Sequence, residues 1–284
     1  MHSRIIYNHR LLEATKARVE VLTAATLYGQ GVFTTLAIYD GHPFLWHEHW
    51  QRLMEHGARA RVDTTGLEEE TARASLTRLI AANEVRTGRA RVTLLARAEP
   101  SVWKIKAEGE RATDLLMMTR EARSEGSEGL ALTLSPYRLN TLSPLVGIKS
   151  VNYLEHLMAW EEARARDFDE AVMLNERGEV ASTTMANIFW ATDGTIHTPA
   201  LSTAALSGTT RARVIQLAHE LSQPLVEGVY DLSQLGAADE IFLTSAGLGV
   251  SIITTFDFHR YTVAVGSVAL RVHEAFRQLT LRAD

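Results

Sequence analysis

One lysine stands out among the residues that could carry chemistry. Lysine and arginine together number 29 in 284 residues, and only four of these are lysines: Lys16, Lys104, Lys106 and Lys149. A buried lysine can lose its proton and form a Schiff base with a carbonyl, whereas a guanidinium stays protonated. Lys149 lies between a proline- and glycine-containing loop, 140–147, and an apolar helix predicted over 153–166. A lone lysine in such a place is most often a surface residue, so its role depends on the other motifs.

Three further features suit an anionic ligand. Ser207-Gly208-Thr209-Thr210 opens an amphipathic helix, where backbone amides and the positive end of the helix dipole favour a phosphate. The alternative there is an ordinary Ser/Thr N-cap. Arg52 lies on a helix predicted over 47–61, where its guanidinium could bind a phosphate through two bonds or simply face solvent. The glycine loop 245–249 could admit a ligand close to the backbone or be a plain turn.

The composition excludes several classes of function. With no cysteine, the chain has no disulfide, thiolate metal site or cysteine nucleophile. A net charge of −5 gives no support for nucleic-acid binding. The chain shows no apolar signal region at its N-terminus and no apolar run of membrane-spanning length, so a cytoplasmic protein is expected. His47, His49 and His56 share the predicted helix without a nearby set of carboxylates, so core or surface roles, and no metal, are expected.

The pattern of strands and helices predicts an α+β fold. The two kinds of element mix without a regular βαβ alternation, and Asp40-Gly41 is the expected turn of a hairpin. A polar segment at 120–128 predicts a linker between a smaller domain, 1–119, and a larger one, 129–284, that carries the reactive lysine. Further expectations are strands at 19–22 and 261–265 and a long loop over 135–148.

Five motifs follow one another along the chain: Tyr28-Gly29-Gln30-Gly31-Val32-Phe33, Glu48-His49-Trp50-Gln51-Arg52-Leu53, Ile148-Lys149-Ser150-Val151-Asn152-Tyr153, Ala186-Asn187-Ile188-Phe189-Trp190 and Gly208-Thr209-Thr210-Arg211. In types and order they resemble the motifs of the fold-type IV, or class IV aminotransferase, pyridoxal-phosphate enzymes. That family holds branched-chain aminotransferases, D-amino acid aminotransferases and aminodeoxychorismate lyases. The resemblance runs from Leu27 to about Ile253.

The resemblance implies a cofactor, pyridoxal 5′-phosphate, and roles for named residues. It makes Lys149 the Schiff-base lysine, and it gives the phosphate to Arg52 and to the amides of Thr209 and Thr210. It puts Tyr153 near the phenolic oxygen of the cofactor. Its other cofactor-binding positions are Ser182, Asn187 and Ala246. It also implies two α/β domains with the cofactor between them, a small amino substrate, and a homodimer whose partner loop completes the site.

Within the family, several details favour the lyase branch. Thr35 matches a threonine typical of the lyases, and Ala246 stands where transaminases often have a phosphate-binding threonine. The segment 130–139 is also lyase-like, and the arginine–x–histidine pair of D-amino acid aminotransferases is missing from 97–106. The first hypothesis is therefore an aminodeoxychorismate lyase-like enzyme that releases pyruvate and forms 4-aminobenzoate. In it Lys149 removes a proton, and Thr35 orients groups or relays protons.

One position departs from the family pattern. The glutamate that bonds the pyridine nitrogen is replaced by Ser182, 33 residues after Lys149. A hydroxyl cannot supply the charge that keeps the ring protonated, and Glu179, three residues away on a strand, should face the opposite side. A weaker electron sink suits an elimination driven by aromatisation better than a reversible transamination. Two alternatives stay open: an amino-acid transaminase, and a cofactor-free or non-catalytic member of the family.

Overall fold

The computed structural model describes residues 1–97, 113–122 and 129–281, and these form two compact units. The first contains 1–97, 113–122 and 148–153, and the second contains 129–147 and 154–281. Most of the predicted linker, residues 123–128, lies outside the described residues, as does 98–112, which covers nearly all of the segment searched for the arginine–x–histidine pair. The predicted boundary at 120–128 therefore stays a prediction.

The first unit is an antiparallel sheet with helices. Its elements are β1 (Arg4–Tyr7), β2 (Arg10–Glu13), α1 (Ala24–Tyr28), β3 (Gly31–Tyr39), β4 (His42–Pro43), α2 (Trp46–Arg59), α3 (Glu69–Ala82), β5 (Gly88–Ala96) and β6 (Thr113–Glu121). The strand order is β2-β1-β6-β5-β3-β4. The turn from β3 to β4 has the expected residues, Asp40 and Gly41, at φ 45° and 82°, as a tight hairpin requires. The predicted hairpin is confirmed.

Helix α2 is amphipathic, and its apolar face builds the core of this unit. Trp46, Trp50 and Leu53 are buried together with Val32 and Leu36 of β3. The spacing of the three α2 side chains brings them to one face of the helix. This face packs on β3. The buried polar residues of the same helix, His49, Arg52 and His56, are therefore held at fixed positions beside the sheet.

The segment that carries Lys149 extends the edge of this sheet. The amide of Phe33 donates to the carbonyl of Lys149 at 2.8 Å, and the amide of Val151 donates to that of Gly31 at 3.0 Å. Strand β4 pairs only with the far end of β3, so the segment satisfies backbone groups that β4 leaves unpaired. The lysine thus lies in the first unit, although the sequence-based division assigned it to the C-terminal domain.

The second unit is built on a nine-stranded mixed sheet. Its elements are β7 (Leu130–Leu139), α4 (Leu154–Ala165), β8 (Glu170–Asn175), β9 (Val180–Thr183), β10 (Asn187–Thr192), β11 (Thr195–Pro199), α5 (Thr209–Glu220), β12 (Leu225–Gly228), α6 (Leu232–Gly236), β13 (Glu240–Ser245), β14 (Gly249–Phe256), β15 (His259–Arg260) and α7 (Val268–Thr280). The strand order is β12-β11-β10-β13-β14-β7-β8-β9, and β15 pairs with β14.

The α+β prediction is confirmed, and three local predictions are wrong. Strand β7 continues to Leu139 where a loop was expected, because a register shift against β8 after Leu134 accommodates Pro136. Residues 19–22 form no strand and are mostly exposed, and 261–265 likewise form none. Among the described residues, no helix has both the length and the apolar character needed to cross a membrane.

Candidate active site

Lys149 is held with its amine beside two aromatic rings. Its Nζ lies 4.8 Å from the ring centroid of Phe33 and 5.1 Å from that of Tyr153, and the two rings meet edge to face at 5.5 Å. Burial lowers the pKa of Lys149 from 10.5 to about 7, and the positive charges of Arg52 and Arg91 act in the same direction. At neutral pH a large fraction of this amine is therefore unprotonated and nucleophilic, as a Schiff-base lysine must be.

Arg52 is a buried cation in a defined orientation. It is only 8% exposed on α2, and its Nη2 donates to Oγ1 of Thr34 at 2.8 Å. The same hydroxyl shares a 2.7 Å hydrogen bond with Nδ1 of His49. Burial lowers the pKa of Arg52 to about 10, so the guanidinium stays charged at neutral pH. The alternative of a solvated helix face is wrong, and a fixed guanidinium is suited to an anion.

One residue that contacts Arg52 is Thr34, which the sequence analysis did not select. Successive residues of a strand face opposite sides of the sheet, so Thr34 faces α2, whereas Phe33 and Thr35 face the other side. Thr35 is partly buried and pairs across the sheet with Arg91. It therefore shares the face on which Phe33 contacts Lys149. Strand alternation alone could have separated the two threonines.

A second guanidinium, that of Arg91 on β5, is partly buried and was also missed. Its Cζ lies 3.6 Å from the ring centroid of Phe33, and its Nε reaches Oγ1 of Thr93 at 3.4 Å. Burial lowers its pKa. The signal in the sequence was the pair Arg89 and Arg91 inside a strand, at positions that alternation places on the same face as Thr93. The ring of Phe33 is thus close to two basic groups, Arg91 and Lys149.

The second unit presents the start of α5. Gly208 is the N-cap residue, and no side chain caps the helix there, so the alternative of a Ser/Thr cap is wrong. A Cβ at Gly208 would lie 2.2 Å from Oδ1 of Asn187, while Nδ2 of Asn187 donates to the carbonyl of Leu206 at 2.8 Å. Only glycine permits this approach. Thr209 and Thr210 follow as the first two residues of α5.

The remaining predicted positions also lie in the second unit. Ser182 is buried on β9 and pairs with Met173 of β8. Glu179, the nearby carboxylate, binds Nδ2 of Asn175 at 2.6 Å and the guanidinium of Arg177 at 2.6 Å. The carboxylate of Glu179 therefore binds residues of the adjoining turn. Ala246 lies partly buried in the loop that joins β13 to β14.

The charge around Lys149 fits the phosphate-bearing cofactor that the motifs imply. Burial lowers the pKa of Lys149, and so do the charges of the two guanidiniums, those of Arg52 and Arg91. A dianion is favoured where buried cations are in excess. An unprotonated amine, a fixed guanidinium and two aromatic rings are also the groups that an aldehyde-bearing, phosphorylated ring requires. Among the described residues, no cluster of His, Cys, Asp or Glu could hold a metal ion.

Comparison with known proteins identifies the family. The model of the family Amino-transferase class IV matches residues 31–256, which is most of the chain. The protein belongs to this family, and its members are pyridoxal-phosphate enzymes. A solved branched-chain amino acid aminotransferase with a similar fold contains pyridoxamine 5′-phosphate. The predicted resemblance is confirmed, and the cofactor with it.

Individual relatives lie on both branches of that family. The chain is 30% identical to the aminodeoxychorismate lyase of Bacillus subtilis, over 90% of this chain and 88% of the relative. It is also 30% identical to a putative branched-chain-amino-acid aminotransferase of Methanocaldococcus jannaschii, over 97% of this chain and 96% of the relative. The branched-chain aminotransferase of Thermoproteus uzoniensis, solved with norvaline, superposes with a TM-score of 0.90 at 26% identity, covering 100% of this chain and 96% of that one.

Proposed function

We propose that the protein is a pyridoxal-phosphate-dependent lyase that releases pyruvate from aminodeoxychorismate to give 4-aminobenzoate. The observation that carries this proposal is the amine of Lys149, whose pKa of about 7 suits it to act first as a nucleophile and then as a base. When bound, the cofactor supplies an aldehyde for that amine and an electron sink for the substrate. The similarity to the lyase of Bacillus subtilis supports this choice of substrate.

The charged residues of the site have separate roles in this proposal. Arg52, held by Thr34, binds the phosphate, and the amides of Thr209 and Thr210 are further candidates for phosphate contacts. Arg91, on the Phe33 face, suits a carboxylate of the substrate. With the cofactor bound, Lys149 would remove a proton from the substrate, and Thr35 would orient groups on the same face of β3.

Ser182 supports elimination over transamination. Its neutral hydroxyl stabilises a protonated pyridine ring less than a carboxylate does, and the carboxylate of Glu179 is engaged with Asn175 and Arg177. Release of pyruvate with formation of an aromatic ring is driven forward by the product and needs less stabilisation from the ring. A transaminase must run in both directions and depends on that stabilisation in each half-reaction.

A transaminase is the second candidate, and the identity with the putative aminotransferase of Methanocaldococcus jannaschii over nearly the whole chain favours it. One assay separates the two. We expect pyridoxal-phosphate-loaded protein to form 4-aminobenzoate and pyruvate in equal amounts from aminodeoxychorismate without any keto acid. Amino transfer that requires a keto acid, with no 4-aminobenzoate, would show a transaminase instead. If the cofactor-loaded protein turns over neither substrate, the non-catalytic alternative stands.

We further infer a homodimer. The first unit exposes apolar side chains close together in sequence: Val21 is 71% exposed, Leu22 70% and Tyr28 64%. Exposed apolar patches of soluble proteins commonly mark protein contacts, and the family resemblance indicates a second copy of this chain as the partner. Light scattering should give twice the chain mass, and Leu22→Asp should shift it toward the monomer. A monomeric wild-type protein would contradict the inference.

A further inference from the structure

One face of α2 carries three buried polar residues at helical spacing: His49, Arg52 and His56. The imidazole of His56, 1% exposed, accepts a hydrogen bond at Nδ1 from the backbone amide of Lys149, at 3.0 Å. Since Nδ1 is the acceptor, the ring is neutral and carries its hydrogen on Nε2. Burial, with the nearby charges of Arg52, Arg59 and Lys149, lowers the pKa of His56 to about 3. The acceptor is therefore present throughout the neutral range.

This hydrogen bond takes the place of a missing strand contact. In a regular antiparallel ladder, the facing residues Phe33 and Lys149 would exchange two backbone hydrogen bonds. Here the amide of Phe33 donates to the carbonyl of Lys149, but the amide of Lys149 donates to His56 instead. The side chain of His56, on α2, thus supplies the second hydrogen bond of Lys149, which β3 does not provide.

The two bonds together restrain the backbone on both sides of the Lys149 Cα. The carbonyl is fixed by β3 and the amide by α2, so little freedom remains in φ and ψ, and the direction of Cα–Cβ follows from them. That direction brings Nζ beside the rings of Phe33 and Tyr153. Without the imidazole acceptor, the buried amide would seek another partner and the segment would shift.

We propose that His56 is a positioning residue for the reactive lysine, acting through the backbone of Lys149 and not on the substrate. This inference rests on the proposed role of Lys149 as the amine that joins the cofactor. On this inference, His56 affects the step in which the amine of Lys149 bonds covalently to the cofactor. Substitution of His56 should have little effect on noncovalent binding of the cofactor's ring and phosphate.

A pair of ligands isolates that step. Pyridoxal 5′-phosphate can bond to the lysine, whereas pyridoxine 5′-phosphate has the same ring and phosphate but no aldehyde. We expect His56→Leu to weaken binding of pyridoxal phosphate by about tenfold, the loss typical of one buried hydrogen bond, and to slow borohydride trapping on Lys149. Affinity for pyridoxine phosphate should change less than about twofold.

Two further variants control for packing. His56→Asn should restore most of the covalent affinity, because its amide oxygen can occupy nearly the place of Nδ1. His47→Asn, at an exposed site of the same helix, should behave as wild type. If His56→Leu does not fold, His56→Gln, which moves the acceptor by one methylene, replaces it.

Three outcomes would overturn the inference. Equal losses for both ligands would make His56 a general packing residue, and unchanged binding of both would give it no role. Failure of His56→Asn to recover would exclude the hydrogen bond as the cause. These results differ from a failure of the proposed function, in which the wild-type protein itself would show no trapping on Lys149.

Discussion

Lys149→Ala is expected to abolish pyruvate release and to eliminate borohydride trapping of the cofactor. The variant loses both the amine that joins the cofactor and the base that removes the substrate proton. Loss of a positioned base alone costs roughly 10²–10⁴-fold in rate. No described lysine can substitute, because the other one, Lys16, is exposed and paired with Glu13. The measurement is 4-aminobenzoate formation together with peptide mapping of the reduced protein.

Lys16→Ala is the matched control and should retain wild-type rates. The pH profile gives a second check on the same residue. With a pKa of about 7, the amine of the cofactor-free protein is protonated below that pH. Its rate of cofactor capture should therefore fall about tenfold per pH unit below 7 and level off above it. Substantial turnover by Lys149→Ala, or capture that is independent of pH across this pKa, would contradict the assignment.

Arg52→Ala should weaken binding of pyridoxal phosphate by about 10- to 100-fold, because a charge-assisted hydrogen bond contributes roughly 1.5–3 kcal/mol. The phosphate dependence can be isolated by comparison with pyridoxal, which has the same aldehyde and ring. Affinity for pyridoxal should change little, so the preference for the phosphorylated form should collapse. Equilibrium titration of the absorbance of the bound cofactor measures both affinities.

The control for Arg52 lies on the same helix. Arg59 is partly exposed and near Glu55, at 3.8 Å, so Arg59→Ala removes the same charge without touching Thr34. It should leave both affinities within about twofold, as expected for an exposed ion pair. Arg52→Lys tests the geometry, since an ammonium keeps the charge but not the two-pronged fork. An Arg52→Ala protein that lost affinity for pyridoxal and its phosphate equally would point to damaged folding.

The sequence allowed the local elements of both units to be predicted well, for physical reasons. Asp40-Gly41 adopts left-handed backbone that few other pairs permit, and the spacing of Trp50 and Leu53 suits a helix with one buried face. The predictions failed where tertiary contacts determine the extent of an element. Strand β7 passes through Pro136 because β8 shifts register there, and no local pattern indicates such a shift.

The candidate site divides in the same way. Lys149 and Arg52 follow from residue type and motif, and their burial and proximity agree with those predictions, although their roles remain proposals. His56 and Thr34 could not be assigned from the sequence, because their parts depend on which side of β3 meets α2 and on an amide contributed 93 residues away. The histidines were expected to be core or surface residues, and burial of His49 and His56 agrees with the first of these.

The aromatic ring of Phe33 links two equilibria. Arg91 and Lys149 approach the same ring, and the charge of Arg91 lowers the proton affinity of the amine. An anion that binds Arg91 offsets that charge, so it must raise the proton affinity of Lys149, and by reciprocity protonation of the amine must tighten the anion's binding. In the cofactor-free protein, occupancy of Arg91 by a carboxylate and protonation of Lys149 are therefore linked, and binding of such an anion is expected to be accompanied by proton uptake from the solvent.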